Sequence, residues 1–211
     1  MGWKTSLIII SGQTQIEDLQ ILTTLGIKGT TKVDNITFEE TIAFLTNKVC
    51  IGRYNKNLII YEWAIPEKVL HNKGTDIEKL LCDKFPNAEI CFIELVSTLN
   101  FWGYKIIQSG QLIRHFVGDG QGNGTFFNVG NPLTEEKELL DKATVDENGV
   151  RTYKFENDES DEVLTEDQMG EEFIFNLCKR YLGHTLDESE TFLNEVEFSC
   201  YKKKSWWQFW K

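Results

Sequence analysis

Apolar residues along the chain change spacing from segment to segment, and each spacing predicts an element. Leu7-Ile8-Ile9-Ile10 is a continuous run rich in β-branched side chains, so residues 3–10 should form a buried first strand. Ile16, Leu19, Leu22 and Leu25 then recur at helical spacing, and Gly26 should close that helix. Three further helices announce themselves by their starts. Thr37 with Glu40 and Thr75 with Glu78 have the capping-box form, and Thr165-Glu166-Asp167-Gln168 is a helix start whose acids suit the positive end of the helix dipole. The apolar faces that follow are Phe38, Ile42 and Leu45; then Ile77, Leu80, Leu81 and Phe85, stopped by Pro86; then Met169, Phe173, Leu177 and Tyr181, stopped by Gly183.

The strand signals mostly come in pairs. Residues 48–54 and 58–63 flank Asn55-Lys56-Asn57, where asparagine tolerates the left-handed turn conformation. Residues 101–108 and 111–117 flank Ser109-Gly110, and residues 143–147 and 150–155 flank Asn148-Gly149, both two-residue hairpin signals. Residues 90–96 are almost all apolar, as suits a central strand covered on both faces. Residues 192–201 alternate in part and read as a last edge strand. Hairpins outnumber strand–helix–strand crossovers. The expected fold is therefore a single α+β domain over residues 1–201, with helices packed on a mainly antiparallel or mixed sheet, followed by a short tail at 202–211.

Composition adds size and charge to this picture. The 211 residues carry 41% apolar side chains, including 14 Phe and 6 Trp, enough for a sizeable core. No apolar run approaches the ~20 residues of a membrane-spanning helix. The net charge of −11 is uneven. Nine carboxylates and no Lys or Arg fall in the seventeen residues 156–172, expected as an inserted acidic loop, whereas the last eleven residues hold four Lys and no acid. A body this acidic repels phosphate, which argues against a nucleic-acid partner. The five cysteines, Cys50, Cys82, Cys91, Cys178 and Cys200, lie in apolar segments without metal-ligand spacing. They read as buried free thiols in a reducing, cytoplasmic compartment.

Several of these segments together resemble a known pattern. The opening Met1-Gly2-Trp3-Lys4-Thr5, the stretch 97–117 with Asn100-Phe101-Trp102-Gly103-Tyr104, Ser109-Gly110 and Arg114, then residues 128–133 and Tyr181-Leu182-Gly183 occur in order. They resemble an uncharacterised bacterial domain family that opens with M-G-x-K-T and has a central S-G hairpin. The resemblance implies a shared fold and no particular activity. The acidic block and the Trp-rich tail depart from the family's pattern.

Candidate chemistry is sparse. Gly118-Asp119-Gly120-Gln121-Gly122-Asn123-Gly124-Thr125 lacks the Lys of a phosphate-binding loop. It also has Gly130 where a calcium loop needs its twelfth-position Glu, so it reads as a connector or a ligand-gripping loop rather than a metal site. Glu62 and Glu94 stand out because each lies in an apolar strand, where a carboxylate must be paired, neutralised or solvated. Glu94, Ser97, Asn100, Arg114 and His115 would meet at one end of the central hairpin, with Asp119 just beyond. They form either a binding or catalytic pocket, or else a structural Glu94–Arg114 pair or exposed strand ends.

In the tail, Trp206, Trp207, Phe209 and Trp210 beside Lys202-Lys203-Lys204 would pack on their own domain, dock a protein, or make a weak interfacial membrane contact. No cofactor or metal signature is present. The sequence favours a protein-binding module without catalytic activity, in its sharpest form an acidic immunity-type inhibitor of a basic toxin or nuclease. The alternative is an enzyme with a pocket around Glu94, Asn100 and Arg114.

Overall fold

The computed structural model describes residues 2–13, 15–42, 45, 47–72, 74–120, 124–154, 163–188 and 190–203. In chain order its elements are β1 (Lys4–Ser11), α1 (Asp18–Thr24), β2 (Thr30–Lys32), β3 (Ile36–Thr37), α2 (Phe38–Thr41), β4 (Lys48–Tyr54), β5 (Asn57–Tyr61), α3 (Ala64–Leu70), α4 (Asp76–Lys84) and β6 (Glu89–Val96). There follow β7 (Phe101–Gln108), β8 (Gln111–Asp119), β9 (Gly124–Val129), α5 (Thr134–Leu140), β10 (Thr144–Val145), β11 (Arg151–Tyr153), β12 (Leu164–Thr165), α6 (Gly170–Leu182), α7 (Glu190–Glu195) and β13 (Glu197–Lys203).

The main sheet runs β2-β13-β4-β5-β1-β6-β7-β8-β9, with β3 also paired to β13. Its pairings are antiparallel throughout, so the α+β expectation holds. The hairpins that organise it are set locally. Asn55 and Lys56 turn β4 into β5 with φ of 48° and 65°, and Ser109 and Gly110 turn β7 into β8 with φ of 50° and 74°. Two consecutive left-handed residues match the right-handed twist of the strands they join. A smaller sheet, β10-β11-β12, holds the Asn148-Gly149 turn.

Strand alternation divides the core in two. Leu7 and Ile9 of β1, Ile93 of β6 and Trp102 and Tyr104 of β7 face α6, whose buried side is Phe173, Leu177 and Tyr181. Ile8 and Ile10 of β1 and Ile90 and Phe92 of β6 face the opposite way. There they meet Ile21 and Leu22 of α1, Val69 of α3 and Leu81 of α4. All eight residues of β6 are buried, since both faces are covered.

The helix-start signals are realised in full at two places and in part at the third, where Thr75 accepts from the Glu78 N–H but Glu78 does not return the bond. Thr37 and Glu40 bond reciprocally ahead of α2. Thr165 and Gln168 do so ahead of a short 3-10 turn, Glu166–Gln168, that leads into α6. Gly183, at φ 88°, ends α6 in the left-handed conformation.

Three expectations are corrected. Leu19 and Leu80 are 69% and 50% exposed, because Ile21, Leu22 and Leu25 on one helix and Leu81 and Phe85 on the other turn to the core instead. β13 is not an edge strand: it lies between β4 on one side and β2 and β3 on the other. Nor are all five cysteines free. The β4–β13 register sets Cys50 directly opposite Cys200, Cα atoms 4.1 Å apart, and the two form a disulfide. Cys82, Cys91 and Cys178 keep free thiols.

Lys202 and Lys203 belong to β13. The remaining tail, including Trp206, Trp207, Phe209 and Trp210, lies outside the described residues, as does the acidic stretch 155–162. The glycine-rich connector joins β8 to β9, with residues 121–123 likewise outside the description. Among the described residues no helix is long and apolar enough to cross a membrane.

Candidate functional site

Register decides which predicted residues can meet. Across β6, β7 and β8, Glu94 stands beside Gly103 and then Val117, while Phe92 stands beside Lys105 and then His115. These positions share one face of the sheet. Arg114 pairs with Ile106 and falls on the other face with Tyr104 and Phe116. The expected Glu94–Arg114 pair therefore does not form, and the pocket that needed Glu94, Asn100 and Arg114 together is ruled out by the pleat.

Arg114 is a buried clip. Its Nε and Nη2 donate to the two carboxylate oxygens of Glu136, each at 2.8 Å. Nη1 donates to Asn128 Oδ1 at 2.7 Å and to the carbonyls of Gly130 and Val129 at 3.1 and 3.3 Å. The guanidinium carbon lies 4.5 Å from the centre of the Phe116 ring. Glu136 also accepts from the Leu133 backbone N–H. Residues 128–133 are thus wound around one cation, which ties β8, β9 and α5 together.

Ser97 and Asn100 are likewise structural. The Ser97 hydroxyl donates to the Trp3 carbonyl at 3.3 Å. Asn100 takes the left-handed conformation, with φ of 52°, and its carbonyl accepts from the Gly120 N–H. A Cβ at position 120 would come within 2.2 Å of Asn100 Nδ2, so glycine there leaves the Asn100 side chain the room it occupies. Trp102 donates to the Asp167 carbonyl at 2.7 Å, and its ring fills the space a Cβ on Gly118 or Gly170 would need.

Glu94 is different. It is 3% exposed, yet its Oε2 has no hydrogen-bond partner among the described residues. It lines an open pocket of about 520 Å³ that also takes in Lys4, Trp63, Glu67, His71, Phe101, Asp119 and Phe126. His71 stacks on Phe101 with ring centres 5.2 Å apart. Phe126 and Leu99 stand at the rim, 45% and 56% exposed. Burial pushes the Glu94 carboxyl up to about 8, with a further push from the Glu67 charge, so it is mostly protonated at neutral pH. The lining thus carries three acidic side chains and one lysine, Lys4, among aromatic residues. A ligand cation would find the negative faces of those rings and a carboxyl ready to ionise on its arrival.

Of the predicted residues, this pocket unites only Glu94 and Asp119. His115 opens into a second pocket on the same face. Glu62, the other buried acid noted in the sequence, is accounted for by its ion pair with Lys203 and by the Ile65 N–H, which donates to it at 2.6 Å. Sequence reasoning missed Trp63, Glu67 and His71. Their spacing of four was a usable signal, because α3 with its two flanking residues puts all three on one side of a helix. Among the described residues, no group of three or more His, Cys, Asp and Glu side chains is placed to hold a metal ion. Comparison with protein-family models, with curated proteins and with solved structures yields no match.

Proposed function

We propose that this chain is a protein-binding module without catalytic chemistry of its own. It seats a basic side chain of its partner in the Glu94 pocket. In its sharpest form it is an inhibitor of the immunity type, whose partner is a basic toxin or nuclease. The observation that carries this reading is the bare, buried Glu94 oxygen in a pocket that also holds Glu67, Asp119 and aromatic walls. A guanidinium or ammonium would supply the missing donors and remain charged between the rings. The surrounding charge of −11 would draw a basic partner in from a distance.

The reading is tested with two capped pentapeptides, Gly-Gly-Arg-Gly-Gly and its uncharged citrulline counterpart. They are titrated into the protein while the Trp63 indole N–H is followed by NMR. The arginine peptide should saturate the signal and release protons as Glu94 ionises. Glu94→Gln should weaken binding about tenfold, the scale of one lost charge-assisted hydrogen bond. Equal behaviour of the two peptides would remove the basis for the proposal.

A further inference from the structure

On the same face of the sheet, α4 and the β7–β8–β9 end enclose a second pocket, of about 670 Å³. This volume lies within the ~300–1,000 Å³ typical of small-molecule sites. Its walls are apolar, from Ile107, Leu112, Phe127, Val129 and Cys82. Its polar groups are Thr75, Lys79 and Asp83 on α4 and its cap, whose charges cancel, and a tighter set of Glu78, Lys105 and His115. Lys105 Nζ and Glu78 Oε1 are 2.5 Å apart, with side chains only 5% and 8% exposed. His115 stacks on Phe127 at 4.3 Å and lies 2.9 Å from the Leu70 carbonyl through Nε2.

Two of these lining residues carry an acceptor that the surrounding bonds do not use. Glu78 Oε2 is buried and has no hydrogen-bond partner among the described residues, although its twin oxygen holds Lys105. Burial, then the charge of Lys105, holds His115 down at about 4, so its ring is neutral. A carbonyl can only accept, so the single ring proton sits on Nε2, and Nδ1 is left as an acceptor. The ion pair leaves no net charge for a ligand to neutralise. The complement of such a site has an apolar body of about one fused ring and an N–H or O–H donor.

We infer that this pocket is a binding site for a small uncharged ring molecule carrying a hydrogen-bond donor, of the indole or phenol class, with its ring among Leu112, Phe127 and Val129 and its donor on Glu78.

The test uses the full chain, with indole as the probe and toluene as a ring that lacks a donor. Binding is read from the backbone NMR signals of Gly110, Leu112 and Val129, and from the alkylation rate of Cys82, the partly exposed free thiol in the wall. Indole should saturate with a Kd of about 1 mM or tighter, and toluene should bind about tenfold more weakly for want of the bond to Glu78. Indole should also slow alkylation of Cys82. Cys82→Trp should abolish binding by filling the space. Leu112→Trp, at a position already 44% exposed, should do the same by blocking the mouth should the first variant fold poorly. Glu94→Gln should leave indole binding unchanged, which separates this site from the cation pocket. Absence of saturation by indole, equal binding of indole and toluene, or binding that survives Leu112→Trp overturns the inference.

Discussion

Arg114 on β8 and Glu94 on β6 lie in the same hairpin-built sheet, with β7 between them, and are almost equally hidden, at 1% and 3% exposure. They differ in their partners. The guanidinium has a bidentate carboxylate, an amide oxygen, two carbonyls and a ring face. The carboxyl has one bare oxygen and an acidic neighbour. Burial alone therefore says little about the role of a charged residue. A buried charge with every valence used fixes structure, whereas one left unsatisfied beside open space is available to something else.

The comparison makes predictions of opposite sign. The largest effect should come from Arg114→Met, which strands Glu136 without its partner. We expect a loss of about 3–5 kcal/mol, read from denaturant unfolding. A loss below about 1 kcal/mol would show that the clip is not structural.

Next is Glu94→Gln, which should stabilise the protein above neutral pH. In the unfolded chain this carboxyl releases its proton near 4.5, but the folded protein retains it up to about 8. Between those values the folded state binds more protons, so wild-type stability should fall as pH rises. Gln cannot ionise, so the variant should lack that slope and be more stable at pH 8 by roughly 2–4 kcal/mol. Parallel pH profiles of the two proteins would place Glu94 in the same structural class as Arg114.

Glu62 is the intermediate case, paired with Lys203 yet 1% exposed. Glu62→Gln should cost about 1–3 kcal/mol in the same unfolding assay, less than loss of the Arg114 clip, since the Ile65 N–H keeps an amide oxygen to donate to. The smallest effect should be that of Glu67→Gln. It removes only the secondary cause of the Glu94 shift, so the Glu94 midpoint, followed by carboxyl carbon NMR, should fall by roughly one unit or less. A collapse of the midpoint toward 4.5 would mean that charge repulsion, not burial, governs the pocket.

Local signals carried much of the fold. The run Leu7–Ile10, the Asn55-Lys56 and Ser109-Gly110 turns and the Thr37 and Thr165 caps each depend on residues close together in sequence, and each appears where its pattern placed it. Long-range register did not show. Position 94 on β6 meets β7 through the irregular turn Ser97–Asn100, so no short motif fixed which face its side chain would take relative to Arg114. The apolar context of Glu94 was legible, but its supposed partner was not. The same holds for Cys50 and Cys200, 150 residues apart, whose meeting depends on where β13 inserts. His71 stands eight positions after Trp63 and four after Glu67, a spacing that gains meaning only once α3 is placed between strands.

The insertion of β13 also bears on how the protein is made. β4 lies in the interior of the finished sheet, but the strand that covers its outer side follows it by about 150 residues. At ~5–20 residues per second, a ribosome takes on the order of 10–30 s to deliver that strand. Throughout this interval the nascent chain can fold β1, β5 and β6 around β4 while the hydrogen-bonding edge of β4 stays bare beside a reduced Cys50. An open edge of this kind recruits other strands, so the period of greatest aggregation risk falls before release, and a chaperone that shields β4 during synthesis should raise the yield of folded protein.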